Sequence, residues 1–449
     1  MDILTKKVKG TEDILPSESY KWQFVEELMR EEAQKNGFKE IRTPVFEHTV
    51  LFNRSVGETT DVVQKEMYTF DTKGGESITL RPEGTAGAAR AYLEHAVYNE
   101  GLPVKVYYQL TCYRYEKAQA GRQREFHQFG METYGAADAG ADAEMICAAN
   151  NIFERLGLEN IRLEINSIGC KTCRKDYTNA LKEYFGEHKA SLCETCLSRL
   201  DRNPMRILDC KNESCKKIAR NAPVVLDYIC SDCSEHFDKV KTFLNAADVE
   251  FEVNPTIVRG LDYYTKTVFE FVTDSIGAQG TVCGGGRYDG LIEELGGQPT
   301  PALGFAMGIE RLMMVMKAEN IELPEEDTCD IYIAALGEDA MIRAFGLVQD
   351  LRNSSITAET DIMGRGLRAQ MKYANKIKAK YSAVIGDDDL KNNSVKIKNM
   401  TTGETVDAPL DDFVEVFSDI ILNNAVGALN DLIGTDADMS FSDFLNRIN

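Results

Sequence analysis

The sequence predicts an α+β protein in which an antiparallel sheet is flanked by helices. β-rich stretches at 67–71, 77–82, 104–116 and 126–135 follow one another with turns in place of regular helices, a pattern typical of antiparallel pairing. The β-rich pattern returns at 251–291 after a long helical segment, which indicates that the segment is an insertion.

The remaining elements follow from hydrophobic periodicity and from Gly and Pro. Apolar positions on one face and the following Gly37 predict a helix at 17–36. A strand is predicted at 38–46, with Pro44 at an edge or an interface because proline cannot donate to a ladder. Further along we expect a helix at 140–157, a strand at 160–169 and a helix from about Gly308.

The chain has 449 residues, too many for one ordinary domain. Alternating strand and helix patterns near its C-terminal end predict a separate α/β domain. The predicted regions are a main domain at 1–169 and 246–322, a helical Cys-rich insertion at 170–245, the α/β domain at 328–417 and a tail at 418–449, to which the sequence assigns no role.

Composition excludes some classes of function. The net charge of −21 excludes a protein that holds nucleic acid by bulk charge, although a local basic patch is compatible with it. The sequence shows neither a signal peptide nor an apolar run of about 18 residues, so we expect no membrane contact and a cytoplasmic location. In such a chain the 12 cysteines indicate metal ligands or buried thiols rather than disulfides.

The first chemically rich segment is a predicted hairpin that carries several arginines. Arg114, Arg122 and Arg124 suit bidentate contact with phosphate oxygens. Phe126 offers a stacking face to a base, and Glu116 offers an acceptor to an exocyclic amine. The same pattern also fits a solvated, charged hairpin.

Three later segments carry further candidates. Arg259, Tyr263 and Tyr264 favour a polar pocket, although an aromatic strand with a buried hydroxyl fits as well. Three glycines at 284–286 let the backbone approach a ligand or another chain. They match neither a Rossmann fingerprint nor a P-loop. Arg311, in the first turn of the predicted helix, is either a site residue or a surface charge.

In this order, and with RTPVFE (42–47) upstream, these segments resemble the histidyl-tRNA synthetase family of class II aminoacyl-tRNA synthetases. The resemblance runs from residue 9 to about residue 417. Its matching motifs are KGTEDILP (9–16), LRPEGTAG (80–87), YRYEKAQAGRQREFHQFGME (113–132), VRGLDYYTKTVFE (258–270) and FAMGIERL (305–312).

The resemblance implies a class II catalytic domain, a helical insertion and a C-terminal anticodon-binding domain. It implies a homodimer whose interface includes helix 17–36 and Pro44. It also implies that L-histidine reacts with ATP, accompanied by Mg²⁺, to give histidyl-adenylate, and that histidine is then transferred to the 3′ end of tRNA-His.

Residue roles are carried over motif by motif. Arg114 and Arg259 would act on opposite faces of the α-phosphate as the catalytic pair. The implied ATP-binding residues are Arg114, Glu116, Phe126, Arg259 and Arg311, with Phe126 and Arg311 on either side of the adenine ring. The implied histidine-binding residues are Glu83, Gly84, Thr85, Gln128, Glu132, Tyr263 and Tyr264, with Glu132 and Tyr264 at the imidazole. Arg122 and Gln123 would meet the tRNA acceptor end. Lys117 and Gln123 depart from the common family pattern, which leaves the details of acceptor reading open.

A local basic segment reconciles RNA binding with the acidic total. Residues 362–380 contain six basic and no acidic side chains. Arg365, Arg368, Lys372 and Lys376 are spaced by three or four, which predicts one helix face that binds tRNA phosphates. A solvated helix face is the alternative.

The cysteines of the insertion occur in closely spaced pairs that suit tetrahedral Zn²⁺. These pairs are Cys170-x-x-Cys173, Cys193-x-x-Cys196, Cys210-x₄-Cys215 and Cys230-x-x-Cys233. Two Cys₄ sites, or one site with spare thiols, both fit the spacing, and so do buried or surface thiols without metal.

Two other functions compete with the ligase. A paralogue, the regulatory subunit of ATP phosphoribosyltransferase, keeps the catalytic fold but typically loses Arg259 and lacks the anticodon domain. A zinc-bearing RNA-binding protein would explain the cysteines and the basic segment, but it leaves Arg114, Arg259 and Arg311 together unexplained.

Overall fold

The computed structural model describes residues 4–57, 60–210, 212–259, 262–277, 280–326 and 328–433. The chain divides into two compact units, Met1–Pro324 and Glu325–Asn449. Part of the predicted C-terminal tail, 434–449, lies outside the described residues.

The strands of the first unit form one large and one small sheet. They are β1 (Lys39–Glu40), β2 (Phe46–His48), β3 (Thr69–Asp71), β4 (Ser77–Leu80), β5 (Val104–Tyr113), β6 (Glu125–Tyr134), β7 (Arg162–Ser167), β8 (Glu252–Val253), β9 (Thr265–Val272), β10 (Thr281–Arg287) and β11 (Ala302–Gly308). The large sheet has eight strands in the order β1-β5-β6-β11-β10-β9-β7-β8, and the small sheet has the order β2-β4-β3. The six central strands of the large sheet pair antiparallel, and only the two edge pairs, β1–β5 and β7–β8, are parallel. The predicted antiparallel sheet is therefore confirmed.

The first unit contains ten α-helices among the described residues. They are α1 (Pro16–Lys35), α2 (Thr49–Val56), α3 (Thr85–Glu94), α4 (Ala139–Arg155), α5 (Lys171–Glu187), α6 (Glu194–Arg202), α7 (Glu213–Ala219), α8 (Ser231–Ala246), α9 (Leu291–Glu294) and α10 (Ile309–Ala318). The apolar stripes of α1, α4 and α8 pack on the sheet, where Met29, Phe153 and Leu244 meet Phe269 and Phe305 in one buried core. Helices α5 to α8 confirm the helical character of the insertion.

Two predicted strands are shorter than expected. Of 38–46, only Lys39–Glu40 is a strand, and the next strand begins at Phe46. Pro44 lies between the two, where its missing N–H breaks no ladder bond. In the β-rich stretch predicted at 251–272, the described residues form two strands, β8 and β9.

The second unit is a small α/β domain, as predicted. Its strands are β12 (Ile331–Ala335), β13 (Ala358–Thr360), β14 (Tyr381–Ile385), β15 (Ser394–Asn399) and β16 (Thr405–Pro409), in the order β13-β12-β14-β15-β16. Its helices are α11 (Glu338–Asn353), α12 (Leu367–Lys376), α13 (Asp387–Asn392) and α14 (Phe413–Ile433). Helix α14 runs across the predicted boundary between domain and tail at 417.

Among the described residues, no helix is long and apolar enough to cross a membrane.

Candidate active site

Arg114 lies in the loop between β5 and β6 and is fixed by a backbone carbonyl oxygen. Arg114 follows the last residue of β5, and its Nε donates to the Pro82 carbonyl oxygen at 2.8 Å. The Arg114 guanidinium lies 5.3 Å from the centre of the Phe126 ring. Arg122 Nη1 lies 3.1 Å from Glu116 Oε2, so these two charges compensate each other at the mouth of the cleft.

Arg259 is partly buried and paired with a strand carboxylate. Its Nη1 donates to Oε1 of Glu270 on β9, and its guanidinium lies 5.6 Å from the centre of the Tyr264 ring. Burial alone would lower the pKa of Arg259, but the carboxylate of Glu270 raises it well above its ordinary value. A side chain at Gly284 would collide with this guanidinium, which explains why the run of glycines is needed on β10.

Arg311 joins the loop of the first arginine to the neighbouring strand. It lies in the first turn of α10, where its Nε donates to the Gly121 carbonyl oxygen at 3.0 Å and its Nη1 to the Thr281 carbonyl oxygen at 2.7 Å. Burial, and then the nearby Arg122, lower the pKa of Arg311. The guanidinium over Phe126 is that of Arg114, so the predicted stack of Phe126, adenine and Arg311 remains a prediction.

Glu132 is the fully buried acidic group of the site. Its Oε1 accepts from Thr85 Oγ1 at 2.7 Å and from Tyr108 Oη at 2.9 Å, and its Oε2 accepts from Tyr288 Oη. Burial raises the pKa of Glu132 to about 8 despite these donors. A Cβ at Gly304 on β11 would collide with the carboxylate, so this strand can pair there only without a side chain.

Glu83 organises the start of α3. Its two oxygens accept from the backbone N–H groups of Thr85, at 3.0 Å, and of Ala86, at 2.8 Å. Burial raises the pKa of Glu83, and these backbone hydrogen bonds oppose that shift. Gly84 is required beside it because a side chain there would collide with the Tyr108 ring. The carboxamide oxygen of buried Gln128 accepts from Cys112 Sγ at 3.2 Å.

Three tyrosines form one wall of the pocket around Glu132. The ring centres of Tyr263 and Tyr264 are 4.7 Å apart, and that of Tyr288 lies 5.3 Å from Tyr263. Tyr288 is fixed by its neighbour Arg287, which is fully buried, pairs with Asp142 and donates to the Ala136 carbonyl oxygen at 2.8 Å.

Of the 14 residues predicted to bind histidine, ATP or the tRNA acceptor end, 12 line one cleft. They are Glu83, Thr85, Arg114, Glu116, Arg122, Gln123, Phe126, Gln128, Arg259, Tyr263, Tyr264 and Arg311. Gly84 and Glu132 lie directly behind this lining, in contact with Tyr108 and Tyr288 respectively. Sequence reasoning missed Tyr108, Tyr288 and Glu270. Tyr108 pairs with Gly130 on β6, and its ring fills the space that the glycine leaves. A large aromatic residue and a glycine on two adjacent predicted strands were the signal that could have identified it.

The predicted basic face of a helix needs a correction. Helix α12 begins at Leu367, so Arg365 precedes it. Arg365 instead pairs with Asp361 in a short local turn. The Asp361 carboxylate accepts from the Arg365 backbone N–H at 2.6 Å and from the Arg365 Nε at 2.5 Å. The face of α12 therefore consists of Arg368, Lys372 and Lys376, all of which are exposed.

The eight cysteines of the insertion are brought together in two groups of four. Cys170, Cys173, Cys230 and Cys233 form the root cluster, and Cys193, Cys196, Cys210 and Cys215 form the distal cluster. Within each cluster the sulfur atoms lie within 4.8 Å of one another, and all eight thiols are free. Each group has the ligand number of a structural metal site.

The central antiparallel sheet, with arginines from three segments and a buried polar pocket facing one cleft, is the architecture of a class II aminoacyl-tRNA synthetase. A family model described as histidyl-tRNA synthetase matches residues 10–312, and one described as anticodon binding domain matches residues 330–420. The chain therefore belongs to the histidyl-tRNA synthetase family.

Individual relatives agree with this assignment. The chain is 53% identical to the histidine–tRNA ligase of Clostridium novyi over 92% of its own length and 98% of that protein. It is 54% identical to the histidine–tRNA ligase of Caldanaerobacter subterraneus over 91% of its own length and 98% of that protein. Among solved structures, apo histidyl-tRNA synthetase of S. aureus matches with a TM-score of 0.80 and 39% identity, covering 92% of this chain and 100% of that one.

Proposed function

We propose that this chain activates L-histidine with ATP to form histidyl-adenylate and then transfers histidine to the 3′ end of tRNA-His. The observation that carries the proposal is the convergence of Arg114 and Arg259 on the cleft that also contains the Glu132 pocket. The relatives named histidine–tRNA ligase, which match nearly the whole chain, support it.

Activation requires positioning and charge stabilisation but no general base. The histidine carboxylate is ionised at neutral pH and attacks the α-phosphorus directly, and the bond from this phosphorus to the pyrophosphate leaving group breaks. The site must therefore hold the attacking oxygen, the phosphorus and the leaving group in line. Arg114 and Arg259 stabilise the charge that develops on the α-phosphate oxygens. Both guanidiniums are already fixed, by Pro82 and Glu270, so little reorganisation is needed as the charge develops.

Mg²⁺ is the expected companion of ATP, and it would neutralise charge on the β- and γ-phosphates. The cleft supplies two carboxylates near the nucleotide side, Glu116 and Glu310. Glu116 pairs with Arg122, and Glu310 accepts from the backbone N–H of His127 at 3.0 Å. The donor set therefore fits an ion held largely by the phosphates and water, with a carboxylate in support.

Histidine recognition rests on buried polar groups. Imidazole has two nitrogens on opposite edges, and Glu132 and Tyr264 are the groups we assign to them, with Tyr263 beside them. An analogue without these nitrogens would forgo the hydrogen bonds assigned to Glu132 and Tyr264, which is costly in a buried site. Glu83, Thr85 and Gln128 are assigned to the amino and carboxylate ends of the substrate.

tRNA binding is assigned to two separate surfaces. In the second unit, Arg368, Lys372 and Lys376 would contact phosphates around the anticodon. In the first, Arg122 and Gln123 would meet the acceptor end. Because tRNA is charged where translation takes place, we assign the chain to the cytoplasm.

A homodimer completes the proposed assembly. Next to Pro44, the large apolar side chains of Val45, Phe46 and Val50 are exposed on the first unit. Exposed apolar side chains grouped in this way favour a protein interface.

The cysteine clusters are assigned to structural Zn²⁺. Four thiolates around one zinc, at Zn–S distances of about 2.3 Å, have sulfurs about 3.8 Å apart. The sulfurs of Cys193 and Cys210 are 3.8 Å apart, and those of Cys173 and Cys233 are 3.9 Å apart. All-thiolate ligation selects zinc over Mg²⁺ or Ca²⁺.

The test of this function is tRNA-dependent incorporation of labelled histidine. The purified chain should charge tRNA-His with histidine and no other amino acid, and the regulatory paralogue would charge none. Absence of charging by a folded protein, with ATP and Mg²⁺ present, would reject the ligase in favour of the regulatory function.

A further inference from the structure

The root cluster lies where the insertion leaves the catalytic sheet. Cys170 and Cys173 occupy the start of α5, and Cys230 and Cys233 the start of α8. Two backbone contacts tie this point to β9, from Ile168 N–H to the Lys266 carbonyl oxygen at 2.8 Å and from Lys266 N–H to the Gly169 carbonyl oxygen at 2.9 Å. The root cluster therefore joins two helix starts that are far apart in sequence at the edge of the active-site sheet.

The backbone packs closely around the thiols of the root cluster, as the surroundings of Gly169 show. Its φ is +66°, and a Cβ there would lie 3.3 Å from Cys173 Sγ and 3.4 Å from Ile229 Cγ2. The backbone N–H of Cys230 donates to Cys173 Sγ at 3.1 Å, and the sulfurs of Cys170 and Cys173 are 3.5 Å apart. Four thiolates this close repel one another unless a cation lies between them.

The residue after Cys173 contacts the backbone of the segment that carries two pocket tyrosines. Arg174 Nη1 donates to the backbone carbonyl oxygen of Tyr264 at 3.0 Å and lies 3.5 Å from that of Asp262. The guanidinium is largely buried, and burial lowers its pKa. Arg174 thus connects the first turn of α5 to the segment that carries Tyr263 and Tyr264.

Two residues of the chain closed by the distal cluster contact the same segment and line the same cavity as Arg174. Asn203 Nδ2 donates to Asp262 Oδ1 at 3.0 Å, and Arg206 Nη2 lies 3.4 Å from the same oxygen. Both residues lie between Cys196 and Cys210, in the stretch of chain that the distal cluster closes. The distal contact is to the side chain of Asp262, however, whereas Arg174 holds the backbone.

We infer that Zn²⁺ in the root cluster positions the histidine-binding tyrosines, with Arg174 as the positioning residue between metal and pocket. By joining the starts of α5 and α8, the metal fixes the direction in which Arg174 points. Arg174 in turn fixes the backbone of Asp262 and Tyr264, and so the place of the Tyr264 side chain in the pocket. This inference rests on the proposed histidine-activating function.

A positioning role distinguishes the root cluster from a metal site that only stabilises the fold. A metal that only stabilises the insertion would change stability and leave histidine affinity in the folded protein unaltered. A metal that positions Tyr264 should raise the KM for histidine when it is removed, while the KM for ATP changes little.

The first experiment changes the link and leaves the metal in place. Arg174→Met should raise the KM for histidine about tenfold in ATP–pyrophosphate exchange, because a charged buried hydrogen bond is removed. Arg174→Lys, which keeps a donor, should recover most of the affinity. Lys175→Met, which removes the exposed neighbouring charge on α5, is the matched control and should behave as the parent. All three should retain the zinc content of the parent, measured by elemental analysis.

The second experiment removes the metal. Cys170→Ser with Cys230→Ser should lower zinc by one equivalent and raise the KM for histidine as Arg174→Met does. Cys193→Ser with Cys210→Ser should also lower zinc by one equivalent, with a smaller change in KM. Cys147→Ser, outside both clusters, controls for the loss of a thiol.

Direct binding separates the possible failures. Histidine affinity measured by calorimetry should fall in parallel with the rise in KM. If the root variants lose zinc but bind histidine as the parent does, the positioning role is wrong. If the parent itself shows no histidine-dependent exchange, the proposed function has failed instead. If the parent contains no zinc, the metal part is wrong, and the Arg174 variants alone decide whether the link to the pocket exists.

Discussion

The active-site cleft and the basic face of α12 both present positive charge, but in opposite ways. In the cleft, Arg259 is partly buried and paired with Glu270, and Arg311 is held by two backbone carbonyl oxygens. On α12, Arg368, Lys372 and Lys376 are exposed, and they form no ion pair with the residues that the structure describes.

This difference separates residues that stabilise the transition state from residues that bind tRNA. A guanidinium that is fixed in a dry site acts on one phosphate oxygen, so its removal should be felt in the transition state. An exposed cation acts through its charge on a flexible stem, so its removal should weaken binding modestly and in a salt-dependent way. The two regions should therefore respond to mutation by different amounts and in different assays.

The largest effect is expected at Arg259. Arg259→Ala should lower kcat for ATP–pyrophosphate exchange by about 100-fold or more at saturating substrates, because the developing phosphate charge then lacks a donor. Arg162→Ala removes an exposed arginine from β7 of the same sheet and is the matched control. A kcat for Arg259→Ala within a few fold of that of the control would exclude the assigned role.

Glu132 should give the next largest effect. Glu132→Gln keeps the size of the side chain but replaces an acceptor oxygen with a donor, so it cannot satisfy the donors around it. The KM for histidine should rise by about 10- to 100-fold, since a buried hydrogen bond to the substrate is removed and buried donors lose an acceptor. The KM for ATP, measured in the same assay, should stay near that of the parent. Equal rises in both constants would indicate general damage to the cleft.

The same carboxyl group predicts a pH dependence of stability. Its pKa is about 8 in the folded protein and about 4.5 when exposed, so between these values the folded state keeps a proton that the unfolded state has released. The stabilising contribution is present below about pH 4.5 and is lost as the pH rises through about 8. Without histidine, the melting temperature of the parent minus that of Glu132→Gln should fall from pH 5 to pH 9. The single tryptophan, Trp22, lies in the first unit, so its fluorescence reports the relevant transition. A constant difference would mean that Glu132 titrates normally.

The smallest effect is expected on α12. Replacing Arg368, Lys372 and Lys376 together with alanine should raise the KM for tRNA several fold. It should also lower the salt slope of tRNA binding by about 0.7 to 0.9 for each phosphate that is no longer neutralised. Replacing Lys391, Lys396 and Lys398 removes the same charge elsewhere on the same unit. Identical salt slopes for the two triple variants would show that net charge, and not the α12 face, decides tRNA binding.

The two regions also differ in how far the sequence could predict them. Cleft residues were found because each lies in a short contiguous motif. Tyr288 and Glu270 were missed, because their roles arise from contacts between segments: Tyr288 donates to Glu132 on β6, and Glu270 on β9 accepts from Arg259. Arg365 was misplaced because spacing alone does not reveal that Asp361 holds it in the turn before α12. Likewise, the grouping of cysteines depends on the starts of α5 and α8 meeting, which pair spacing cannot predict.

Histidine-dependent ATP–pyrophosphate exchange without tRNA, measured side by side for Arg259→Ala and for the α12 triple variant, tests the separation of the two regions most directly. Adenylate formation needs the cleft alone, so the α12 variant should exchange at the rate of the parent while Arg259→Ala loses nearly all activity. Loss of exchange activity in the α12 variant, or exchange at the parent rate in Arg259→Ala, would contradict the account in which the cleft catalyses and the α12 face binds tRNA.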